Sequence, residues 1–303
     1  MVEPLVEQKP IAAIGNFDGV HLGHQYLLRE TIKLAAQENV PAGVVVFDPH
    51  PQRFFRPNDP AFLLTTSMQR DALLLDYGAD FVLPLNFDAE MAGLTPEAFV
   101  RRILHEELNL GGVVTGSEFQ FGKGRVGNVE TLKSLCAEAG IQAYQIAPLS
   151  KHVDSDKIGS SAVRQALRDG DVKCAEQLMG HPWSVSAVVE KGRELGRTIG
   201  FPTANLRLGE LVEPKYGVYA VTVLVDRHEP YNGVANFGCR PTVGSDVPLL
   251  EVHLLNFDGD IYGETIEVAF VDFIRPEQKF DGLEALQKQI AIDCKTAEKI
   301  LIA

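Results

Sequence analysis

The sequence predicts an α/β fold in two parts: a doubly wound parallel sheet, then an antiparallel barrel or sandwich closed by one helix. Short apolar runs alternate with helical patterns up to about residue 150, whereas strand-like runs joined by turn residues dominate after about residue 180. The length of 303 residues also exceeds what one hydrophobic core usually organises. We therefore expect two domains, residues 1–181 and 182–303.

Five short apolar segments are the predicted parallel strands: Ile11–Gly15, Val44–Phe47, Phe81–Leu83, Val113–Val114 and Gln142–Ile146. Helical patterns separate them, from Leu27 and at about residues 68–77, 95–108 and 129–139. Thr95-Pro96-Glu97 is typical of a helix start, with a capping hydroxyl, a proline in the first turn and an acid near the helix dipole. Ligands of such a sheet are expected at the carboxyl ends of its strands.

The second half begins after a helical segment, Ser161–Met179, and the turn Gly180-His181-Pro182. Its predicted strands are Ser184–Glu190, Val218–Asp226, Tyr231–Asn236, Leu249–Leu255 and Ile266–Phe273. No helical pattern separates them, which predicts antiparallel pairing. An amphipathic helix closes the chain, with apolar positions at Leu283, Leu286, Ile290, Ala297 and Leu301.

The composition excludes several classes of partner. Lys+Arg 28 against Asp+Glu 41 gives a net charge of −13, which argues against a broad basic surface for nucleic acid or an anionic membrane. We find no apolar run long enough to cross a bilayer and an acidic start unlike a signal peptide, so we expect a cytoplasmic protein. The four cysteines lie far apart, so neither disulfides nor a cysteine-based metal site is expected.

One segment of the first half carries candidate chemistry: Gly15-Asn16-Phe17-Asp18-Gly19-Val20-His21-Leu22-Gly23-His24. It joins the first strand to the first helix. A helix N-terminus offers backbone N–H groups and a positive dipole end to a phosphate, and imidazoles can donate to oxygens that gain charge during attack on phosphorus. A glycine-rich turn with a surface histidine is the plainer interpretation, but His-x-Gly-His at this position favours the phosphate site.

Other segments of the first half add candidate ligand contacts. Ser160 and Ser161, at the start of a predicted helix, and Arg164 one turn later form a candidate triphosphate clamp, although the serines alone could be a helix cap. Aromatic side chains that could stack on a flat heterocycle are Phe54, Phe55, Phe119 and Phe121. The last two follow Glu118 in a loop that also holds Lys123 and Arg125.

The second half has its own candidate site in a glycine- and arginine-rich segment and two strands. The segment carries Gly192, Arg193, Gly196 and Arg197, which suit a polyphosphate. Thr203 and Asn205 point to one side of an extended run and offer oxygen ligands for Mg²⁺. Glu251 projects from a strand and could accept a proton from a hydroxyl that attacks a phosphate, or it could simply face solvent.

These motifs carry a resemblance to known families. The His-x-Gly-His segment and the serine pair with Arg164 resemble the nucleotidyltransferase superfamily. Four segments of the second half look like riboflavin kinase. They are Gly-Arg-x-x-Gly-x-Pro-Thr-Ala-Asn from Gly196 to Asn205, Asn236-Phe237-Gly238-Cys239-Arg240-Pro241-Thr242, Glu251 to Gly263, and Phe273-Ile274-Arg275-Pro276-Glu277. In this order, from about Gly15 to the C-terminus, they are similar to the bacterial bifunctional FAD synthetase family.

The resemblance implies a Rossmann-like nucleotidyltransferase domain followed by a riboflavin kinase barrel. It implies that the second domain phosphorylates riboflavin to FMN and that the first joins FMN to AMP from ATP, releasing pyrophosphate. By resemblance, His21 and His24 act on the α-phosphate in the first domain, and Asn16 and the Ser160-Ser161-Arg164 group hold ATP there. In the second domain, the resemblance implies that Thr203 and Asn205 hold Mg²⁺ and ATP, that Glu251 is the general base, and that Arg275 lies near the flavin. Riboflavin, FMN and ATP are the expected partners, and a homo-oligomer stays open.

Two departures and two alternatives accompany this interpretation. Gly159 stands where the family often has Ser, and Glu118 where Asp or Asn is usual; neither removes a group that the chemistry requires. In one alternative only one domain is active, or the first adenylylates another phosphorylated substrate. In the other, the protein stores or delivers flavin without turnover, against which Glu251 argues because binding alone needs no base.

Overall fold

A computed structural model describes residues 8–149, 158–191, 200–225, 229–239 and 248–302. The candidate residues Gly192, Arg193, Gly196 and Arg197 lie outside the described residues. Contacts between Cα atoms divide the chain into two compact units, Met1–Pro60 with Ser67–Ile158, and Ala61–Thr66 with Gly159–Ala303. The domain boundary at residue 181 stays a prediction.

The first unit is built on a five-stranded parallel sheet in the order β3-β2-β1-β4-β5. Its strands are β1 Ile11–Ile14, β2 Ala42–Asp48, β3 Phe81–Asn86, β4 Gly112–Gly116 and β5 Gln142–Ile146. Alternate residues of β1 enter different cores: Ile11 and Ala13 on one face, Ala12 and Ile14 on the other. Because both faces are covered, the doubly wound arrangement predicted from the sequence is confirmed.

Helices separate these strands. Their bounds are α1 Leu22–Glu38, α2 Pro51–Phe55, α3 Ser67–Asp76, α4 Ala89–Gly93, α5 Pro96–Ala98 and α6 Val129–Glu138. Thr95 caps α5 as predicted, because its Oγ1 accepts from the backbone N–H of Ala98 at 3.2 Å. The helix then continues as a π-helix over Phe99–Glu107, a widening that the sequence pattern did not predict.

The second unit starts with two helices and continues as an antiparallel barrel. The single predicted helix from Ser161 to Met179 is divided at Gly170, whose φ of 82° ends the first helix. The elements are α7 Ser160–Asp169, α8 Val172–Met179, β6 Ser184–Val188, β7 Ala204–Leu206, β8 Gly217–Val225, β9 Tyr231–Gly238, β10 Leu249–Leu254, β11 Thr265–Pro276 and α9 Leu283–Ile302. Between the edge strands of the sheet, Glu190 N–H donates to the carbonyl of Asn205 at 2.9 Å and nearly closes the barrel.

The two faces of the barrel strands differ in what they contact. Inward-facing side chains such as Leu250, Val252 and Phe237 fill the interior. The alternate residues face outward, where α9 packs on β8, β9 and β11 through an outer cluster that includes Val218, Ala220, Val234, Leu255, Ile290, Cys294 and Ala297. The polar residues of these strands therefore lie on the outside of the barrel.

A short segment from the first half of the chain, residues 61–66, is built into this second unit. The backbone N–H groups of Phe62 and Leu63 donate to the carbonyl of Glu210, and the carbonyl of Leu63 accepts from Val212 at 2.7 Å. The carbonyl of Leu64 accepts from the Trp183 indole at 2.8 Å, and the Leu64 side chain is fully buried in the barrel core.

The substitution Leu64→Ala should therefore destabilise the second unit. Loss of a fully buried leucine side chain should lower its free energy of unfolding by about 2–5 kcal/mol. The chain has one tryptophan, Trp183, so urea denaturation followed by its fluorescence reports on this unit. The control Leu283→Ala removes the same atoms from a side chain that is 66% exposed and should cost less than about 0.5 kcal/mol. Equal effects of the two substitutions would contradict the burial of residues 61–66 in this core.

Candidate active sites

The turn between β1 and α1 has an unusual backbone that is stabilised by burial. Phe17 and Val20 adopt positive φ angles of 52° and 39°, which large side chains rarely do. Both side chains are fully buried against the sheet, which offsets this strain. The turn therefore places the following residue, His21, firmly at the start of α1.

His21 caps the N-terminus of α1 with its imidazole. Its Nδ1 accepts from the backbone N–H groups of Gly23 at 3.1 Å and His24 at 3.4 Å. An accepting Nδ1 carries no proton, so the neutral ring is protonated at Nε2. His21 thus has a donor opposite the capped helix end.

His24 stacks on His21 and is held neutral. The two rings are 3.7 Å apart at their centroids, and Phe17 lies 4.9 Å from His24 on a tilted plane. Burial, with a smaller contribution from the charge of His21, holds the pKa of His24 well below its ordinary value of 6.5. Its Nδ1 is buried and has no hydrogen-bond partner among the described residues.

Two cavities of the first unit lie at the carboxyl ends of the parallel strands, as predicted. One, of about 260 Å³, is lined by His21 and His24 and also by Phe17 and Gly23. The other, of about 960 Å³, is lined by Asn16 and several aromatic rings. Both are lined by Gly15, Glu118 and Phe119, so the two cavities adjoin. Asp18 is buried and lines neither cavity.

Aromatic side chains surround the larger cavity, which we call the aromatic cavity. Three were expected from the sequence, Phe55, Phe119 and Phe121, and three were missed, Phe47, Phe87 and Phe99. Phe54 does not line the cavity but packs edge-on against Phe55 and Phe87, at centroid distances of 5.2 and 5.5 Å. Phe87 directly follows β3, so the rule that ligands meet strand ends could have identified it.

The candidate triphosphate clamp lies in the second unit, at the start of α7. Ser160 and Ser161 are its first two residues, and Arg164 follows one turn later. Arg164 Nε donates to the carbonyl of Phe62 at 2.6 Å, and its guanidinium lies 5.4 Å from the centre of the Phe62 ring. The clamp role of these three residues stays a prediction.

The candidate kinase residues form a row across the outer face of the barrel, called here the outer row. Directly paired residues on adjacent strands are Asn205 of β7, Glu251 of β10, Asn236 of β9, Val218 of β8 and Arg275 of β11. Paired residues share a face of a sheet. The structure therefore places Asn205, Glu251 and Arg275 on one face of the sheet.

Asn205 and Thr203, at the β7 end of the outer row, offer oxygen atoms that fit a divalent cation. Asn205 is buried, and its Oδ1 has no hydrogen-bond partner among the described residues. Its Nδ2 lies 3.5 Å from the carbonyl of half-buried Thr203. The preceding carbonyl, of Pro202, lies 2.8 Å from His253 Nδ1. Mg²⁺ prefers hard oxygen ligands. The Asn205 Oδ1 is such an oxygen, and its lack of a hydrogen-bond partner fits a role as a metal ligand.

Two further polar residues, one in the outer row and one beside it, were not among the expected site residues. Asn236 Nδ2 donates to Glu277 Oε1 at 3.4 Å, beside Glu251 on the neighbouring strand. The carboxylate of Glu277 lies so close to Gly238 that any Cβ there would overlap it. Both residues fall within motifs that carry the family resemblance, which was the available signal.

Two family models match different parts of the chain. Residues 4–162 match the family model of FAD synthetase, and residues 179–301 match that of riboflavin kinase. A bifunctional riboflavin kinase/FMN adenylyltransferase from Escherichia coli is 41% identical over 95% of this chain and 92% of its own length. The chain belongs to this family. Relatives with the same description from Haemophilus influenzae and Pseudomonas fluorescens are 40% and 39% identical, over 94% and 96% of this chain and 92% of their own lengths.

A solved structure has the same fold throughout. A crystal structure from Streptococcus pneumoniae, described as a macrolide-efflux protein, is 32% identical, with a TM-score of 0.85 over 96% of this chain and 94% of that one. Among the described residues, none of the helices has the length and apolar character needed to span a bilayer. The likeness to that structure extends to both units of this family member.

The low pKa of His24 predicts how the stability of the first unit depends on pH. In the unfolded chain His24 gains its proton near pH 6.5, whereas in the folded protein it stays neutral to much lower pH. The unfolded state therefore binds this proton more readily, so the contribution of His24 makes the free energy of unfolding fall as the pH falls below about 6.5, and that contribution is constant above it. His24→Gln should reduce this fall.

Urea titrations at about pH 5.5 and 7.5 measure this difference, because the two values lie on either side of the ordinary histidine pKa. Pulsed hydrogen exchange in peptides from α1, with the pulse at one pH, reports on the first unit. The exposed His105, in the same unit, gives the matched control His105→Gln, which should retain the wild-type difference. An undiminished difference in His24→Gln would disprove the assignment.

Proposed function

We propose that the protein makes FAD from riboflavin in two steps, with kinase chemistry in residues 182–303 and adenylyl transfer in residues 1–181. The observation that carries the proposal is the adjoining pair of cavities in the first unit. One offers stacked imidazoles at a helix N-terminus, which suits a reacting phosphate. The other offers aromatic rings, which suit a flat heterocycle. FMN has both a phosphate and such a heterocycle, so it fits the pair.

In the adenylyl transfer, a phosphate oxygen of FMN attacks the α-phosphorus of ATP. A new P–O bond forms, the bond from the α-phosphorus to the bridging oxygen breaks, and pyrophosphate leaves with the electron pair. His21, protonated at Nε2, donates to an α-phosphate oxygen as charge builds up there. His24 is neutral and adds no charge to oppose its neighbour. The N-terminus of α1 contributes its dipole.

The ligand contacts of the adenylyl transfer are assigned from the positions of the residues and from the family resemblance. The aromatic cavity takes the flavin between Phe55, Phe119 and Phe121, with Phe54 supporting Phe55 from behind and Glu118 at the junction of the cavities. The ATP contacts are assigned by the family resemblance alone. The residues so assigned are Gly15, Asn16, Phe17, Asp18, Gly23, Ser160, Ser161 and Arg164.

In the kinase step, the primary hydroxyl of riboflavin attacks the γ-phosphorus of ATP, and ADP leaves. Glu251 accepts the hydroxyl proton as general base, from its place in the outer row between Asn205 and Asn236. Thr203 and Asn205 would hold Mg²⁺, which when bound offsets phosphate charge. Gly192, Arg193, Gly196 and Arg197 are assigned to the ATP phosphates by resemblance. Cytoplasmic location, where ATP is at hand, stays a prediction.

One incubation separates this function from its alternatives. Purified protein is mixed with riboflavin and MgATP, and the products are resolved by chromatography. FMN and FAD together support the proposal. FMN alone contradicts the adenylyl transfer assigned to the first half, and the absence of both products supports a flavin-binding protein without turnover.

The substitution His21→Ala should affect only adenylyl transfer. Loss of a donor to the reacting phosphate should lower the rate of FAD formation from added FMN by about 10²–10³-fold. FMN formation from riboflavin should stay within twofold of wild type, because no kinase residue is changed. Both rates are measured on one preparation, with circular dichroism as the check on folding. Parallel loss of both activities in a folded protein would show that the division of labour is wrong.

The substitution Glu251→Gln should have the opposite effect. The amide keeps the size of the side chain but cannot accept the hydroxyl proton, so the rate of FMN formation should fall about 10²–10⁴-fold. FAD formation from added FMN should be unchanged. Glu284→Gln, at an exposed position of α9, is the matched control and should leave both rates unchanged. A kinase rate for Glu251→Gln within a few-fold of wild type would remove Glu251 from the role of base.

A further inference from the structure

Arg275 at the end of β11 is held by an acid on the C-terminal helix. Its Nε donates to Asp293 Oδ1 at 3.0 Å, and its Nη2 donates to Oδ2 at 2.7 Å. The Asp293 side chain is 3% exposed and that of Arg275 is 16% exposed. Gln289, one turn earlier on α9, donates to Asp293 Oδ1 at 2.9 Å. The carboxylate is thus fixed from two sides and fixes the guanidinium in turn.

The pair leaves Arg275 with hydrogen-bonding capacity. A guanidinium has five N–H groups in one plane. Asp293 takes one from Nε and one from Nη2, and the carbonyl of Pro276 takes one from Nη1 at 3.0 Å. One N–H on each Nη atom has no partner among the described residues. Because the other bonds fix the plane, the direction of these two donors is fixed as well.

Arg275 belongs to the same outer row as the proposed base. Three strand-to-strand steps separate Glu251 from Arg275, through Asn236 and Val218. At about 4.8 Å a step, this separation is roughly 14 Å along the sheet. Riboflavin has its reacting hydroxyl at the end of a polyol chain and its heterocycle at the other end. Val218 itself is buried beneath α9, so a riboflavin with its hydroxyl at Glu251 would have to reach Arg275 from the Asn236 side.

We propose that Asp293 is a positioning residue for riboflavin phosphorylation: it orients the Arg275 guanidinium so that the remaining N–H groups bind the oxygen- and nitrogen-rich edge of the flavin ring. The inference rests on the kinase function proposed above and extends it to a residue that does not itself contact the substrate. Arg275 makes the contact, and Asp293 acts through Arg275.

A purely structural role explains the pair less well. The helix α9 is already anchored by the apolar outer cluster, including Ile290, Cys294 and Ala297. Removing two charges from water costs several kcal/mol per ion, so a buried ion pair adds little to anchoring compared with apolar side chains of similar size. What the pair supplies that apolar contacts do not is a fixed direction for hydrogen-bond donors.

The test compares Asp293→Asn with the wild-type full-length protein in riboflavin phosphorylation. The KM for riboflavin should rise about tenfold, equivalent to about 1.4 kcal/mol. The kcat and the KM for ATP should stay within twofold, because neither Glu251 nor the ATP groups change. The matched control is Ile290→Ala, which weakens the anchoring of α9 but leaves the ion pair. It should lower the melting temperature without changing the KM for riboflavin.

A double-mutant cycle tests whether Asp293 acts through Arg275. Arg275→Met should raise the KM for riboflavin, and adding Asp293→Asn to it should change that KM less than twofold. The double variant removes both charges of the pair, whereas Asp293→Asn alone leaves Arg275 without its partner. If Asp293→Asn fails to fold, the double variant can therefore still be compared with Arg275→Met. A double variant with wild-type KM, or a control with the same KM rise as Asp293→Asn, overturns the inference. Absence of FMN formation by wild type would instead overturn the proposed kinase function.

Discussion

The inward-facing side chains of the barrel, such as Tyr219, Phe237 and Phe270, are fully buried against one another. A small barrel filled in this way has no room for a ligand. The polar residues of its strands must therefore face outward, where cross-strand pairing sets their order. Glu251 lies between Asn205 and Asn236 because β10 lies between β7 and β9. The filled interior thus decides where the kinase chemistry can take place.

The same constraint acts on the first unit in another form. Apolar side chains cover both faces of its parallel sheet, so a ligand can approach only at the ends of the strands. At one such end the chain must turn sharply from β1 into α1. The turn uses left-handed backbone at Phe17 and Val20, and the strain is offset because both side chains complete the core beneath it. The position of His21 therefore depends on the packing of the core beneath the turn.

Much of this arrangement was predictable because its signals are local. The alternation of strands and helices, the cap at Thr95 and the alternating residues around Glu251 need only neighbouring positions. The position of Phe54 was harder to predict, because only three-dimensional packing shows that its ring lies against Phe87 and outside the lining of the aromatic cavity. The place of residues 61–66 in the barrel core was not predictable either, since Leu64 meets Trp183 across 119 positions of sequence. Periodicity carries no information on such a pairing.

The net charge of −13 poses a further physical question, since every proposed substrate carries or receives phosphate. Besides the arginines assigned to the ATP phosphates, the structure offers donors of fixed direction. His21 is set by its cap so that a neutral ring offers Nε2–H, and His24 stays neutral through burial. Arg275, which we assign to the flavin ring and not to a phosphate, is charged, but Asp293 balances that charge and leaves oriented N–H groups. Oriented dipoles of this kind bind without a large uniform field, so an acidic protein can handle phosphorylated ligands.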